Sequence, residues 1–167
     1  LQQNVTDGLR DTAFGMVADA QTRLLLLGSL PGRQSLAAGR YYAHPRNQFW
    51  RLLSPVVGAD LTAMEYQARL AALLGAGIGL WDVVESARRR GSLDADLREV
   101  EARDLRSAAA GLPALRAMAF NGAKAYAIGR AQLGDAWPLI ALPSSSPAHA
   151  VGIAAKQPAW AALREWL

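Results

Sequence analysis

Cysteine is absent from all 167 residues. That excludes disulfides, thiolate catalysis and cysteine-ligated zinc or iron–sulfur centres. It is compatible with a reducing cytoplasm, where we expect the protein to work. Histidine is almost as scarce, with only His44 and His149, so neither a histidine-rich metal site nor a metal-borne cofactor is expected. No apolar run approaches the ~20 residues of a membrane span. The N-terminus carries no signal-peptide pattern, and no membrane partner is expected. Familiar nucleotide and hydrolase signatures are missing too. Gly32-Arg33 does not supply the lysine of a phosphate-binding loop, and no dinucleotide fingerprint occurs. The serines at 144–146 lack the flanking glycines of a nucleophile elbow.

What is present is ordinary for a globular protein: 51% hydrophobic and 19% charged residues, in a length that suits one domain over 1–167 with its own core. The net charge of +4 permits a polyanionic partner without demanding one. Arginine, which makes bidentate phosphate contacts, supplies much of the basic excess.

Apolar periodicity divides the chain into alternating strands and helices. Residues 1–20 read as a loose or helical extension, in which Leu9, Phe14, Met16 and Val17 could face a core. The four leucines at 24–27 form a run suited to a strand buried on both faces. Residues 46–57 read as a helix with Phe49 and Trp50 facing the core and Pro55 shortening or bending its end. Thr62 and Glu65 have the spacing of a capping box, predicting a helix to about residue 74. Residues 78–84 form a second strand. The charged stretch 85–103, with Arg88, Arg89 and Arg90 in a row, reads either as a solvated loop or as a DNA-backbone contact. A short helix over 105–112, a strand over 115–120, a helix over 123–133, a strand over 137–142 and a closing helix carrying Trp160, Leu163 and Trp166 complete the chain.

This alternation predicts a three-layer α/β/α sandwich around a mainly parallel, roughly four-stranded sheet. Right-handed crossovers put all the strand exits on one edge. Four polar clusters then meet there: residues 28–47, Asp82, Asn121 and residues 144–149. Their side chains stack and hydrogen-bond well and bind metal poorly. A Ser145/His149/Asp82 hydrolase set can be drawn on paper as an alternative.

Gly28-Ser29-Leu30-Pro31-Gly32, followed by Tyr42-Ala43-His44-Pro45-Arg46-Asn47-Gln48-Phe49-Trp50, resembles the uracil-DNA glycosylase superfamily. The match is closest to its mismatch-specific and hypoxanthine (deoxyinosine) branches. Leu142-Pro143-Ser144-Ser145-Ser146-Pro147-Ala148-His149 is similar to the superfamily's second signature, a loop that presses into DNA. The resemblance implies a metal-free enzyme that flips a deaminated base out of DNA and hydrolyses its glycosidic bond, hypoxanthine first and uracil second. A monomer acting on duplex DNA with a deaminated base or mismatch is expected. The non-catalytic alternative is a relative that only binds DNA.

The resemblance also distributes roles. Gly28, Ser29 and Leu30 border the substrate; Tyr42 stacks on the flipped base; His44, Asp82 and Asn121 are candidates to bind it. Asp82 could instead cap a turn, and Asn121 could fix its own turn before Gly122. Leu30 stands where many relatives carry the polar residue that orients water, so Asn47 becomes the catalytic candidate, with helix capping as its rival role. Ser144 stands where relatives assist the leaving base. Arg33, Ser145, Ser146, Pro147 and His149 are assigned to DNA, Pro147 and Ala148 as parts of a wedge.

Overall fold

The computed structural model describes residues 10–167; the expectations for Leu9 and residues 1–8 lie outside that range. A two-residue strand, β1 (Asp11–Thr12), comes first, then β2 (Leu24–Gly28). Leu24 and Leu26 of β2 enter one core cluster, and Leu25 and Leu27 enter a second. All four leucines are completely buried, as an alternating strand covered on both faces requires. Next come α1 (Arg33–Ala38), α2 (Phe49–Val57), α3 (Tyr66–Gly75), β3 (Ile78–Asp82), β4 (Val84–Arg88) and β5 (Arg98–Ala102). The remainder is α4 (Leu105–Ala110), β6 (Ala117–Asn121), α5 (Ala123–Leu133), β7 (Leu139–Leu142) and α6 (Ile153–Ala161), closed by a 3-10 turn at Ala162–Trp166.

The central sheet has the order β3-β2-β6-β7, and every pairing in it is parallel. One face packs against residues of α2, α3 and α6, the other against residues of α4 and α5, giving the expected sandwich. Trp160 and Leu163 are fully buried in the first cluster. In the second, a β-carbon on Gly129 of α5 would collide with the Phe120 ring of β6, so that glycine sets how closely helix and sheet approach. The chain passes from β3 over β2 to β6, so the strand order reverses at the β2/β6 crevice. Open α/β sheets place ligands at such a switch point.

Several local expectations change. Residues 33–38, read as loop, form α1, whose chain exit is the left-handed Gly39 (φ 66°). The second helix begins at Phe49 and continues through Pro55 to Val57, because the carbonyl that Pro55 leaves unpaired lies on an exposed turn at Arg51. The Thr62/Glu65 capping box does not form. Asp60 instead accepts the Thr62 N–H at 3.1 Å and closes a 3-10 turn, and α3 starts only at Tyr66. The strand over 78–84 breaks at Val83. There the chain leaves the parallel sheet and builds a second, antiparallel sheet of order β1-β4-β5. Much of the charged stretch is therefore a strand pair. Met16 is exposed, whereas Phe14 packs on the core and Val17 bridges the free edge of β3 at Leu80.

Candidate active site

The carboxyl ends of β2, β3, β6 and β7 open into one cavity of about 560 Å³. That lies within the ~300–1,000 Å³ usual for ligand sites. Gly28, Asp82, Asn121 and residues 144–149 all line it, together with Ser29, Leu30, Arg33, Tyr42, His44 and Asn47. The four polar clusters do converge.

Asp82 is the most constrained of these groups. It is 3% exposed, and its Oδ2 is buried without a hydrogen-bond partner. Burial drives its carboxyl up to about 7; Arg103 and Arg89 pull it down, while Asp94 adds to the rise. The Arg103 guanidinium lies over the Trp81 ring at 4.4 Å and donates to the Phe14 carbonyl at 2.6 Å. A buried acceptor with nothing to accept is costly unless a ligand supplies the donor.

Tyr42 stands beside it. Its ring stacks on Phe49 at 3.7 Å and 12°, and Phe49, wholly buried, does not reach the cavity. One face of Tyr42 is thus backed by the core while the residue borders the open space. Its φ of 54° is the left-handed conformation, a strained choice for an aromatic residue. Burial and the neighbouring Asp82 charge keep its hydroxyl protonated at every physiological pH.

The remaining groups are held by short loops. Asn47 Oδ1 accepts the Phe49 N–H at 3.0 Å, pinning the entry to α2 and leaving a second lone pair and the amide N–H group. His44 Nδ1 accepts the Arg46 N–H at 3.0 Å, which places the proton of the neutral ring on Nε2. Ser144 Oγ accepts the Ser146 N–H at 3.1 Å, and Ser146 Oγ accepts the Ala148 N–H at 3.2 Å. His149 is exposed, and its carbonyl takes a hydrogen bond from the buried Lys156 at 3.1 Å.

The sequence pattern of the uracil DNA glycosylase superfamily matches residues 14–164. The chain belongs to that superfamily. A hypoxanthine DNA glycosylase of Methanosarcina barkeri is 40% identical over 116 residues, 70% of this chain and 73% of that protein. One from Methanosarcina acetivorans is 38% identical over 136 residues, 81% and 86% of the two chains. The fold is similar to the solution NMR structure of an M. acetivorans protein provisionally described as a uracil DNA glycosylase. Its TM-score is 0.85 at 35% identity, covering 93% of this chain and 97% of that one. A superfamily of DNA glycosylases acts on DNA, and DNA is the partner.

Within this superfamily frame, three expected roles are corrected. Ser145 cannot touch DNA: it is completely buried, its N–H donates to Asn121 Oδ1 at 2.9 Å, and its Oγ accepts from Asn121 Nδ2 at 2.8 Å. The same pairing moves Asn121 from its own turn to a clasp on the second-signature loop, and it removes the serine from the hydrolase set. Arg89 is the third, whereas Arg33 is anchored but still 43% exposed at the cavity, so its assignment to DNA remains a proposal. The Arg33 guanidinium pairs with Asp11 at 2.9 Å and donates to the carbonyls of Gly91 at 3.1 Å and Arg89 at 2.7 Å. Arg89 of the arginine run is a buried strut rather than a DNA contact, bonded to Asp11 and the Pro31 carbonyl. Leu30 is 6% exposed, packs in the second core cluster, and gives the cavity an apolar wall.

Sequence reading missed residues 92–95, which line the cavity from the β4–β5 connection. Asp94 accepts a hydrogen bond from Ser29 Oγ. Nothing in the charged stretch 85–103 announced that it folds back across the first motif.

Proposed function

We propose that this chain is a monofunctional DNA glycosylase that excises hypoxanthine, with uracil as second substrate, and leaves an abasic site for base-excision repair. The observation that carries the reading is the buried, unpartnered Asp82 oxygen beside a Tyr42 ring backed on one face by Phe49. A flipped base needs a stacking surface and hydrogen bonds to its edge. Hypoxanthine offers a ring N–H to a carboxylate acceptor. The names of the two Methanosarcina relatives support the same substrate.

In this reading Tyr42 stacks on the extruded base and Asp82 accepts its N–H. His44, through Nε2–H, and Ser144, through its hydroxyl, donate to the departing base. Asn47 uses its second Oδ1 lone pair to hold the attacking water. The water oxygen bonds to C1′ and the glycosidic bond breaks. The electron pair leaves with the base, and the proton lost by the water returns to the base or to solvent. Asparagine is no strong base, but a transition state resembling an oxocarbenium ion asks for orientation and preorganised polarity more than for deprotonation. Arg33, Ser146, Pro147 and His149 meet the DNA. The protein acts as a monomer, since one chain supplies every group that this chemistry uses.

The test is single-turnover cleavage of end-labelled duplexes containing hypoxanthine, uracil or xanthine, with alkali to break abasic sites, for wild type and Asn47→Ala. We expect hypoxanthine excision by wild type and its loss in Asn47→Ala with DNA binding intact. Binding by wild type without any abasic product would make the chain a DNA-binding relative instead.

A further inference from the structure

Four large hydrophobic side chains are exposed among the described residues: Met16, Leu93, Val100 and Val151. Of these, only Leu93 borders the cavity, and it is the most exposed, at 51%. Its backbone is nevertheless firmly held. Ser92 Oγ accepts the Arg33 N–H at 2.9 Å, Arg33 Nε donates to the Gly91 carbonyl at 3.1 Å, and Asp94 accepts from Ser29. Both neighbours of Leu93 are thus tied inward to the first-motif loop, and the leucine between them stays out at the rim. A leucine fixed in water by such a scaffold gains nothing in the free protein.

The placement fits an event at the DNA. β3 and β7 are the two outer strands of the parallel sheet; the chain leaving β3 returns to the cavity through the β4–β5 connection, and the chain leaving β7 lines it with residues 144–149. The loop after β7 offers Pro147, Ala148 and His149. Pro147 and Ala148 can edge into the stack, but both are shorter than a leucine and fill less of the space that a purine vacates.

We propose that Leu93 is a DNA wedge, entering the base stack from the β4–β5 connection and holding open the gap left by the flipped base. The proposal rests on the glycosylase reading of the cavity.

The experiment compares wild type, Leu93→Ala and Leu93→Met on a hypoxanthine duplex with 2-aminopurine next to the lesion, and on the same strand unpaired. For Leu93→Ala we expect single-turnover excision to fall by about tenfold or more on duplex and by less than about twofold on the single strand, where no stack needs opening. The 2-aminopurine rise on binding should shrink in parallel, and Leu93→Met should restore both. Equal losses on duplex and single strand would overturn the proposal by making Leu93 a pocket residue. So would an undiminished fluorescence rise in Leu93→Ala, whatever the rates. Fluorescence reads unstacking without chemistry. A wild type that unstacks but excises nothing would therefore count against the glycosylase reading, while the variants still decide the role of Leu93.

Discussion

Gly28 and Asp82 are register partners at the ends of β2 and β3, so close that a β-carbon on Gly28 would lie 2.7 Å from Asp82 Oδ1. The same β-carbon would lie 3.0 Å from the Tyr42 hydroxyl. Glycine is needed there because Asp82 and Tyr42, which we propose to face the base, occupy the space of a side chain. Gly28→Ala should leave the fold intact and displace both groups, lowering excision by about tenfold or more at unchanged DNA affinity. Single-turnover rates beside binding isotherms check this, and a wild-type rate would mean that the crowding is unimportant.

The carboxyl of Asp82 carries a pH signature. Its folded value of about 7 lies above the ordinary 3.8, so the folded state holds a proton that the unfolded chain has released. Stability contributed below pH 4 is therefore lost as pH rises to 7, and the loss is constant above that. Asp82→Asn should remove the slope and raise stability near pH 8 by a few kcal/mol while lowering hypoxanthine excision, because an amide oxygen accepts more weakly than a carboxylate. Urea melts at pH 5 and pH 8 read the first effect. Wild-type excision should rise through about pH 7 as the acceptor ionises; a flat wild-type profile would remove Asp82 from base recognition.

The Tyr42 ring should matter more than its hydroxyl. Base–aromatic stacking is worth ~1–3 kcal/mol, so Tyr42→Ala should cost about ten- to a hundredfold in excision and Tyr42→Phe far less. Equal activity in both variants would refute stacking.

Asn121 and Ser145 form a buried pair of hydrogen bonds between β6 and the second-signature loop. Asn121→Ala strands the Ser145 N–H in the interior and should cost ~2–4 kcal/mol in urea unfolding, with weaker duplex binding as the loop loosens. Adding Ser145→Ala should cost little more, because the partner is already lost. Additive losses would show that the two residues do not act as a unit.

Much of the frame was legible because it depends on local pattern. Four leucines in a row declare a strand covered on both faces, Gly122 and Gly134 bracket α5, and Trp160 and Leu163 mark a core face. The alternation of strands and helices, with the handedness of crossovers, sufficed to bring Asp82, Asn121 and the serine loop to one edge. The second sheet was not legible: β5, Arg-Glu-Val-Glu-Ala, is exposed along its whole length, with only Val100 and Ala102 as apolar residues amid charge. Whether Ser145 faces DNA or the interior, how Arg33 is anchored, and where Leu93 stands are set by partners 22 to 65 positions away in sequence. Sequence by itself determined which residue types reach the site, since periodicity and backbone freedom act over a few neighbours. Only the tertiary structure decided which of them remain available to a ligand, because hydrogen-bond partners and burial are allotted between distant segments.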